Sequence, residues 1–302
     1  MSDVLEVENL TKAFKKNTAV DQISFAVPQG CIFGFIGENG AGKTTTMKMV
    51  LGLLKPDSGQ AYICDEVVRF GMTPTNRHVG YLPDVPQFYP YMKADEYLHF
   101  CGEVSGLDRT KIRHRTGELL DLVGLKSVKK KIGGYSRGMK QRLGVAQALI
   151  NNPKVLICDE PTSALDPVGR KDVLDILAQI REETTVIFST HILSDVERVC
   201  DRAAVIHQGK LVLEGTLAQL KARRGSPGVL IEFSDPVDTA RFCDLLPPDI
   251  VVARSATEVT LATTGSHTQM SLLETLVRLE ILPLRFESLA PSVESLFLEA
   301  VR

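Results

Sequence analysis

The 302-residue sequence predicts an α/β domain around a largely parallel sheet followed by a small α+β domain, and three observations carry that expectation. Four short apolar runs, CIFGFI at 31–36, VLIC at 155–158, VIFS at 186–189 and AAVIH at 203–207, have the length and composition of buried parallel strands. Helical stretches at 43–54, 138–150 and 168–180 alternate with them, as when helices cover a largely parallel sheet. The charge then changes character: residues 1–225 hold 30 basic and 26 acidic side chains, whereas 226–302 hold 5 and 11 and no lysine.

The elements follow in order. Segments 5–10, 19–27 and 61–63 read as edge or antiparallel strands near the N-terminus. The strand at 31–36 runs into a glycine-rich loop and then the helix at 43. After the last apolar run comes KARRGSPG at 221–228, a basic stretch followed by small residues and proline that suits a linker. The expected domains are therefore 1–225 and 226–302. The second reads strand (229–233), helix (237–246), strand (250–253), strand (259–262), helix (269–281), strand (284–288) and a closing helix at 293–301. Its first six elements give βαββαβ, the order of a ferredoxin-like fold. It carries no Cys, His or carboxylate cluster, so a docking or dimerisation module is expected there.

Composition excludes several classes. The formal charge of −2 offers no broad basic field to nucleic acid, and 44% apolar with 24% charged residues is ordinary for a folded domain. The longest apolar run, 31–37, falls far short of the ~20 residues a membrane-spanning helix needs. The opening MSDVLEVENL is acidic and lacks a signal region, so a cytoplasmic chain is expected. The six cysteines are scattered with no CxxC pair, which suits reduced thiols rather than disulfides or a zinc site.

The chemistry concentrates in a few motifs. Gly37-Glu38-Asn39-Gly40-Ala41-Gly42-Lys43-Thr44 fits GxxxxGK[ST] between a strand and a helix, the context a phosphate-binding loop requires. Backbone N–H groups can ring a triphosphate only if the loop bends tightly, and its glycines permit that bend. The helix behind aims its positive N-terminal end at the phosphates. Lys43 is expected to reach the β- and γ-phosphates, Thr44 to ligate Mg²⁺ and Thr45 to donate to the α-phosphate of ATP.

A phosphate loop needs a carboxylate for the metal and a group to activate water. The strand VLIC ends in Asp159 and Glu160, 116 residues after Lys43. Asp159 is the expected Mg²⁺ partner. Glu160 is expected to accept a proton from the attacking water. Tyr135-Ser136-Arg137-Gly138-Met139 opens an apolar helix 23 residues before Asp159, counted from Ser136, and Ser136 is a natural N-cap. A second helix N-terminus suited to phosphate, in a chain already holding one, invites a second protomer.

With these motifs in this order, the chain resembles the ATP-binding-cassette (ABC) transporter ATPase subunits, in the branch that powers type-2 exporters of drugs, polysaccharides or lipids. The resemblance runs from Leu5 to about Leu220. It implies a P-loop NTPase cassette with a helical subdomain, a homodimer with ATP sandwiched between the P-loop of one protomer and the signature loop of the other, and a separate transmembrane permease. Through that permease alone the chain would lie on the inner face of the cell membrane. The family's signature LSGGQ falls on residues 135–139, retaining Ser136 and Gly138 as γ-phosphate contacts and departing at Arg137 and Met139. Ser163-Ala164-Leu165-Asp166 matches the loop that crosses the dimer interface, and Asp166 also suits the cap of the helix opened by Pro167. His191 matches the switch histidine, and Phe14 sits where the family stacks an aromatic ring on adenine.

One departure concerns chemistry. The glutamine of the family's Q-loop falls on Asp84, and an ionised aspartate accepts hydrogen bonds but cannot donate them. A metal-sensing role for Asp84 survives, and Gln87, three residues on, is the alternative. The run 88–92, FYPYM, follows the Q-loop where family permeases dock, and core of the helical subdomain is its other reading. The C-terminal PSVESLFL at 291–298 resembles the end of the domain found on many exporter ATPases. The rival reading is a soluble ABC ATPase acting on nucleic acid or the ribosome. Such proteins carry two cassettes or a long coiled-coil insertion; this sequence has neither, nor a broad basic face.

Overall fold

The computed structural model describes residues 3–15, 17–71, 74–222, 228–247, 250–262 and 268–289. The chain divides into two compact units, Met1–Leu217 and Ala218–Arg302. The division thus precedes the charge seam expected at 225, and residues 223–227 of that seam lie outside the described residues.

The first unit holds two sheets. β1 (Asp3–Phe14), β2 (Asn17–Pro28), β4 (Ser58–Ile63) and β5 (Glu66–Val67) form an antiparallel sheet in the order β2-β1-β4-β5. The second sheet joins β3 (Ile32–Ile36), β6 (Val79–Leu82), β7 (Val155–Asp159), β8 (Thr185–Thr190), β9 (Arg202–His207) and β10 (Lys210–Thr216) in the order β10-β9-β3-β8-β7-β6. Its strands are parallel from β9 to β6, and β10 returns antiparallel beside β9. Every residue of β3, β7 and β8 is buried, which is why these strands read as unbroken apolar runs. The core between the sheets includes Phe25, Phe33, Phe35, Met47, Ile157 and Ile187.

The strands β6 and β10 were not expected from the sequence, whose apolar runs at 31–36, 155–158, 186–189 and 203–207 lie elsewhere. β6 includes Gly80, where a Cβ would lie 2.1 Å from the Ala148 carbonyl oxygen, so close packing against the next helix layer replaced a side chain there. Between β6 and β7 lie α2 (Ala94–Val104), α3 (Arg109–Leu122) and α4 (Arg137–Ala148), which fill the expected helical subdomain. Asp108 caps α3 through the Thr110 N–H, and Ser136 caps α4 through the Met139 N–H. α1 (Lys43–Val50) follows the glycine-rich loop, and α5 (Pro167–Ile180) starts at the Asp166 cap, its oxygen accepting from the Gly169 N–H. Two short helices, α6 (Leu193–Val199) and α7 (Leu217–Ala222), complete the count as far as the seam.

The second unit arranges β11 (Gly228–Glu232), β12 (Val251–Arg254), β13 (Glu258–Ala262) and β14 (Arg285–Leu289) in the order β12-β13-β11-β14, all neighbours antiparallel. With α8 (Pro236–Cys243) and α9 (Gln269–Arg278) this is the ferredoxin-like arrangement that the βαββαβ order implied. Both helices are shorter at the C-terminal end than the sequence pattern suggested. Val229, Ile231, Phe233, Phe242, Leu261 and Leu272 make a core of its own. The closing helix expected at 293–301 lies outside the described residues. All six cysteines are free thiols.

Candidate nucleotide site

Parallel strands present their carboxyl ends on one edge of the sheet, and that edge gathers the candidate residues. β3 ends at the glycine-rich loop, β7 at Asp159, β8 at Thr190 and β6 two residues before Asp84. The loop is pinned to the neighbouring strand by the Gly37 N–H donating to the Thr190 carbonyl at 3.2 Å. Gly42 has φ +110°, and a Cβ there would lie 2.4 Å from the Ala19 carbonyl oxygen, so no other residue fits the bend without a shift.

A cavity of about 410 Å³ opens here, lined by Asn39, Gly40, Gly42, Lys43, Thr44 and Thr45 from the loop and helix, by Ala19, and by Asp84, Asp159 and Glu160. Gly37 and Ala41 shape the loop without facing the cavity. Lys43 is 5% exposed, and its ammonium donates to the carbonyls of Gly37 at 2.7 Å and Glu38 at 3.1 Å. The same ammonium lies 3.1 Å from Glu160 Oε1, while the other carboxylate oxygen, Oε2, lies 2.9 Å from His191 Nδ1. Glu160 therefore bridges a near-buried cation and the imidazole. Its backbone has φ +49°, a left-handed conformation that disfavours a side-chain-bearing residue by ~1–2 kcal/mol. Strain at this position is what turns the carboxylate inward from the end of β7.

Asp159 accepts from Thr44 Oγ1 at 3.1 Å and from Ser189 Oγ at 2.7 Å. Ser189 in turn accepts from the Glu160 N–H at 2.9 Å. It is a fully buried hydroxyl that orders both acids, and sequence reading missed it. The available signal was a polar residue closing an apolar strand run at the sheet's carboxyl edge. Among the described residues no group of three His, Cys, Asp or Glu side chains converges as a metal cage. A hydroxyl and one carboxylate, Thr44 and Asp159, leave most positions to phosphate oxygens and water, which fits how Mg²⁺ is usually held.

Phe14 is half exposed at the end of the β1–β2 hairpin, with the Lys12 ammonium 5.7 Å from its ring centroid. Ser136 and Gly138 do not line the cavity. Asp84 does, whereas Gln87 lines a different cavity of about 480 Å³ together with Phe88, Tyr89, Tyr97, Phe100 and Val104. Of the two, Asp84 is the one that lines the cavity at the phosphate loop. In the aromatic run, Phe88 packs edge-on to Tyr97 at 5.2 Å, while Tyr89 and Tyr91 are 46% and 65% exposed. Phe88 is only partly buried and lines the groove together with Tyr89, so the run is groove rather than subdomain core.

A phosphate loop on a parallel strand, an acid pair on the neighbouring strand but one, and a buried lysine facing both define a P-loop nucleotide hydrolase. Comparison with known proteins narrows this. The family profile described as ABC transporter matches residues 20–163. An uncharacterized ABC transporter ATP-binding protein of Bacillus subtilis, YxlF, is 38% identical over 300 residues, covering 99% of both chains. The bacitracin transport ATP-binding protein BcrA of Bacillus licheniformis is 41% identical over 74% of this chain and 73% of its own. The linearmycin resistance ATP-binding protein LnrL of Bacillus subtilis is 38% identical over 75% and 74%. A solved ATP-binding subunit of an ABC transporter superposes with a TM-score of 0.66 at 30% identity, covering 74% of this chain and 93% of that one. The subunit cbiO1 of Clostridium perfringens does so with a TM-score of 0.67 at 27% identity, over 74% and 92%. The chain belongs to the ABC transporter family and is its ATP-binding, ATP-hydrolysing subunit. No helix among the described residues is long and apolar enough to cross a membrane.

Proposed function

We propose that two copies of this chain close on ATP and that closure drives a separate membrane permease in the export direction. The observation that carries this reading is a cavity furnished from one side. The loop, Asp84, Asp159 and Glu160 line it, while Ser136 and Gly138, the contacts expected for the γ-phosphate, face elsewhere. A second copy related by a two-fold axis supplies that loop, and each copy completes the other's site.

Within the site, Lys43 takes the β- and γ-phosphates, with Thr45 and the loop from Gly37 through Asn39, Gly40, Ala41 and Gly42 wrapping the rest. Phe14 stacks on the adenine. Mg²⁺ would neutralise charge on the phosphate oxygens; Thr44 and Asp159 would hold it, and Asp84, also lining the cavity, would sense it. Glu160 is the general base and His191 donates to the γ-phosphate. Lys43 and His191 both lie against the Glu160 carboxylate. Substrate phosphate would compete with that carboxylate for the Lys43 ammonium, and release of Lys43 would free the base.

The bacitracin and linearmycin relatives support export of an antimicrobial or similarly amphiphilic compound. The aromatic groove at Gln87–Phe88 is the dock for the permease, which holds the chain on the inner face of the membrane. The net charge of −2 argues against a nucleic-acid partner. The small unit, residues 226–302, acts in assembly rather than chemistry. The test is size-exclusion chromatography of the Glu160→Gln chain: dimer with MgATP and monomer without it are expected, and a monomer in both buffers overturns the proposal.

A further inference from the structure

We propose that Asp84 is a positioning residue for the general base, acting through Ser163, so that the loop beside the aromatic groove is tied to the turn carrying Glu160. The inference rests on Glu160 being that base. Ser163 Oγ donates to Asp84 Oδ1 at 2.5 Å, joining segments 79 positions apart. Asp84 leaves the edge strand β6, and Gln87 and Phe88, three and four residues on, line the groove. Ser163 sits in the turn between β7 and α5, which Glu160 begins.

That turn needs holding. Its own hydrogen bonds are two, Ser163 N–H to the Glu160 carbonyl at 3.1 Å and Leu165 N–H to the Thr162 carbonyl at 3.3 Å. Glu160 (φ +49°) and Ala164 (φ +52°) bracket Ser163 in the left-handed region, which side-chain-bearing residues adopt only when neighbours enforce it. One flank is enforced from within: Thr162 Oγ1 donates to Asp195 Oδ2 at 2.7 Å, and Arg170 Nε fixes Asp195 Oδ1 at 2.7 Å. The other flank is held by Asp84. A carboxylate only accepts and a serine hydroxyl can donate, so the pair is charge-assisted and directional. A displacement of the loop at 84–88 therefore pulls on Ser163, and through it on the backbone that aims Glu160. The acid at 84 works on the hydrolytic turn as well as on the nucleotide side.

The test is steady-state hydrolysis by the full chain, with kcat, ATP affinity and the Mg²⁺ half-saturation measured separately. Ser163→Ala should lower kcat about tenfold to a hundredfold, the range of one hydrogen bond to a charged group, with ATP affinity and the Mg²⁺ curve unchanged. Ser163→Thr, which keeps the donor, should restore the rate. In a chain already carrying Asp84→Ala, Ser163→Ala should change nothing further, because its acceptor is gone. Wild-type kcat in Ser163→Ala, or an equal loss in both backgrounds, overturns the proposal. Glu160→Gln separates this from the parent reading. If it hydrolyses at the wild-type rate, the base assignment itself fails; if it is inactive while Ser163→Ala is silent, only the positioning role fails.

Discussion

Replacing Glu160 by glutamine changes one atom's chemistry at the centre of the site, and the structure gives two separate consequences. Shape is kept and the charge facing Lys43 is removed. Basicity is lost, so turnover should fall by ~10²-fold or more, the usual contribution of a general base. Binding should move the other way. The Lys43 ammonium, 5% exposed, lies 3.1 Å from Glu160 Oε1, a contact ATP would compete with. Glu160 Oε1 makes no hydrogen bond, so its hold on Lys43 is coulombic and contributes on the order of 1 kcal/mol. The variant therefore gives up ~1 kcal/mol less when Lys43 leaves, and ATP should bind about fivefold tighter. Equilibrium titration with ATP in EDTA-containing buffer measures the affinity without turnover, and phosphate release with Mg²⁺ measures the rate. Near-normal turnover would refute the base assignment. Weaker ATP binding would refute the competition between Glu160 and phosphate for Lys43.

Asp84→Asn keeps a weaker, neutral acceptor for Ser163 and removes a charge beside the phosphate loop, so kcat should fall less than in Ser163→Ala while the Mg²⁺ half-saturation rises about twofold to fivefold, as an exposed charge contributes; an unchanged metal titration would sink the metal-sensing role. Gly42→Ala places a Cβ 2.4 Å from the Ala19 carbonyl at φ +110°. Strain and overpacking together should cost about 2–5 kcal/mol, lowering the melting temperature by roughly 5–10 °C and abolishing ATP binding; calorimetry showing wild-type melting would contradict the packing account. A chain ending at Arg224 should fold and bind ATP with unchanged affinity, because every proposed nucleotide contact lies upstream, while losing self-association or permease binding. Circular dichroism showing a folded fragment unable to bind ATP would mean the small unit takes part in the site.

Much of this protein is legible in its sequence because the relevant physics is local. A strand buried on both faces must be apolar throughout, so β3, β7 and β8 announced themselves. A loop that wraps phosphate must bend through glycines, and a helix start needs a cap, so residues 37–44, Ser136 and Asp166 were identifiable without coordinates. The βαββαβ order of the small unit pointed to a ferredoxin-like arrangement, which the sheet order β12-β13-β11-β14 matches. What the tertiary structure decided involves residues far apart in the chain. Thr44 meeting Asp159, Ser189 ordering both acids, and Ser163 reaching Asp84 across 79 positions depend on which strands became neighbours. The pairing of Glu160 with Lys43 and His191 needs a left-handed backbone at a residue whose type gives no sign of it. Asp84 and Gln87, two and five residues beyond the end of β6, line different cavities, Asp84 the one at the phosphate loop and Gln87 the aromatic groove, a separation that the sequence alone does not show. Composition and spacing specify which groups a chain offers; only the packed sheet brings distant groups within hydrogen-bonding distance.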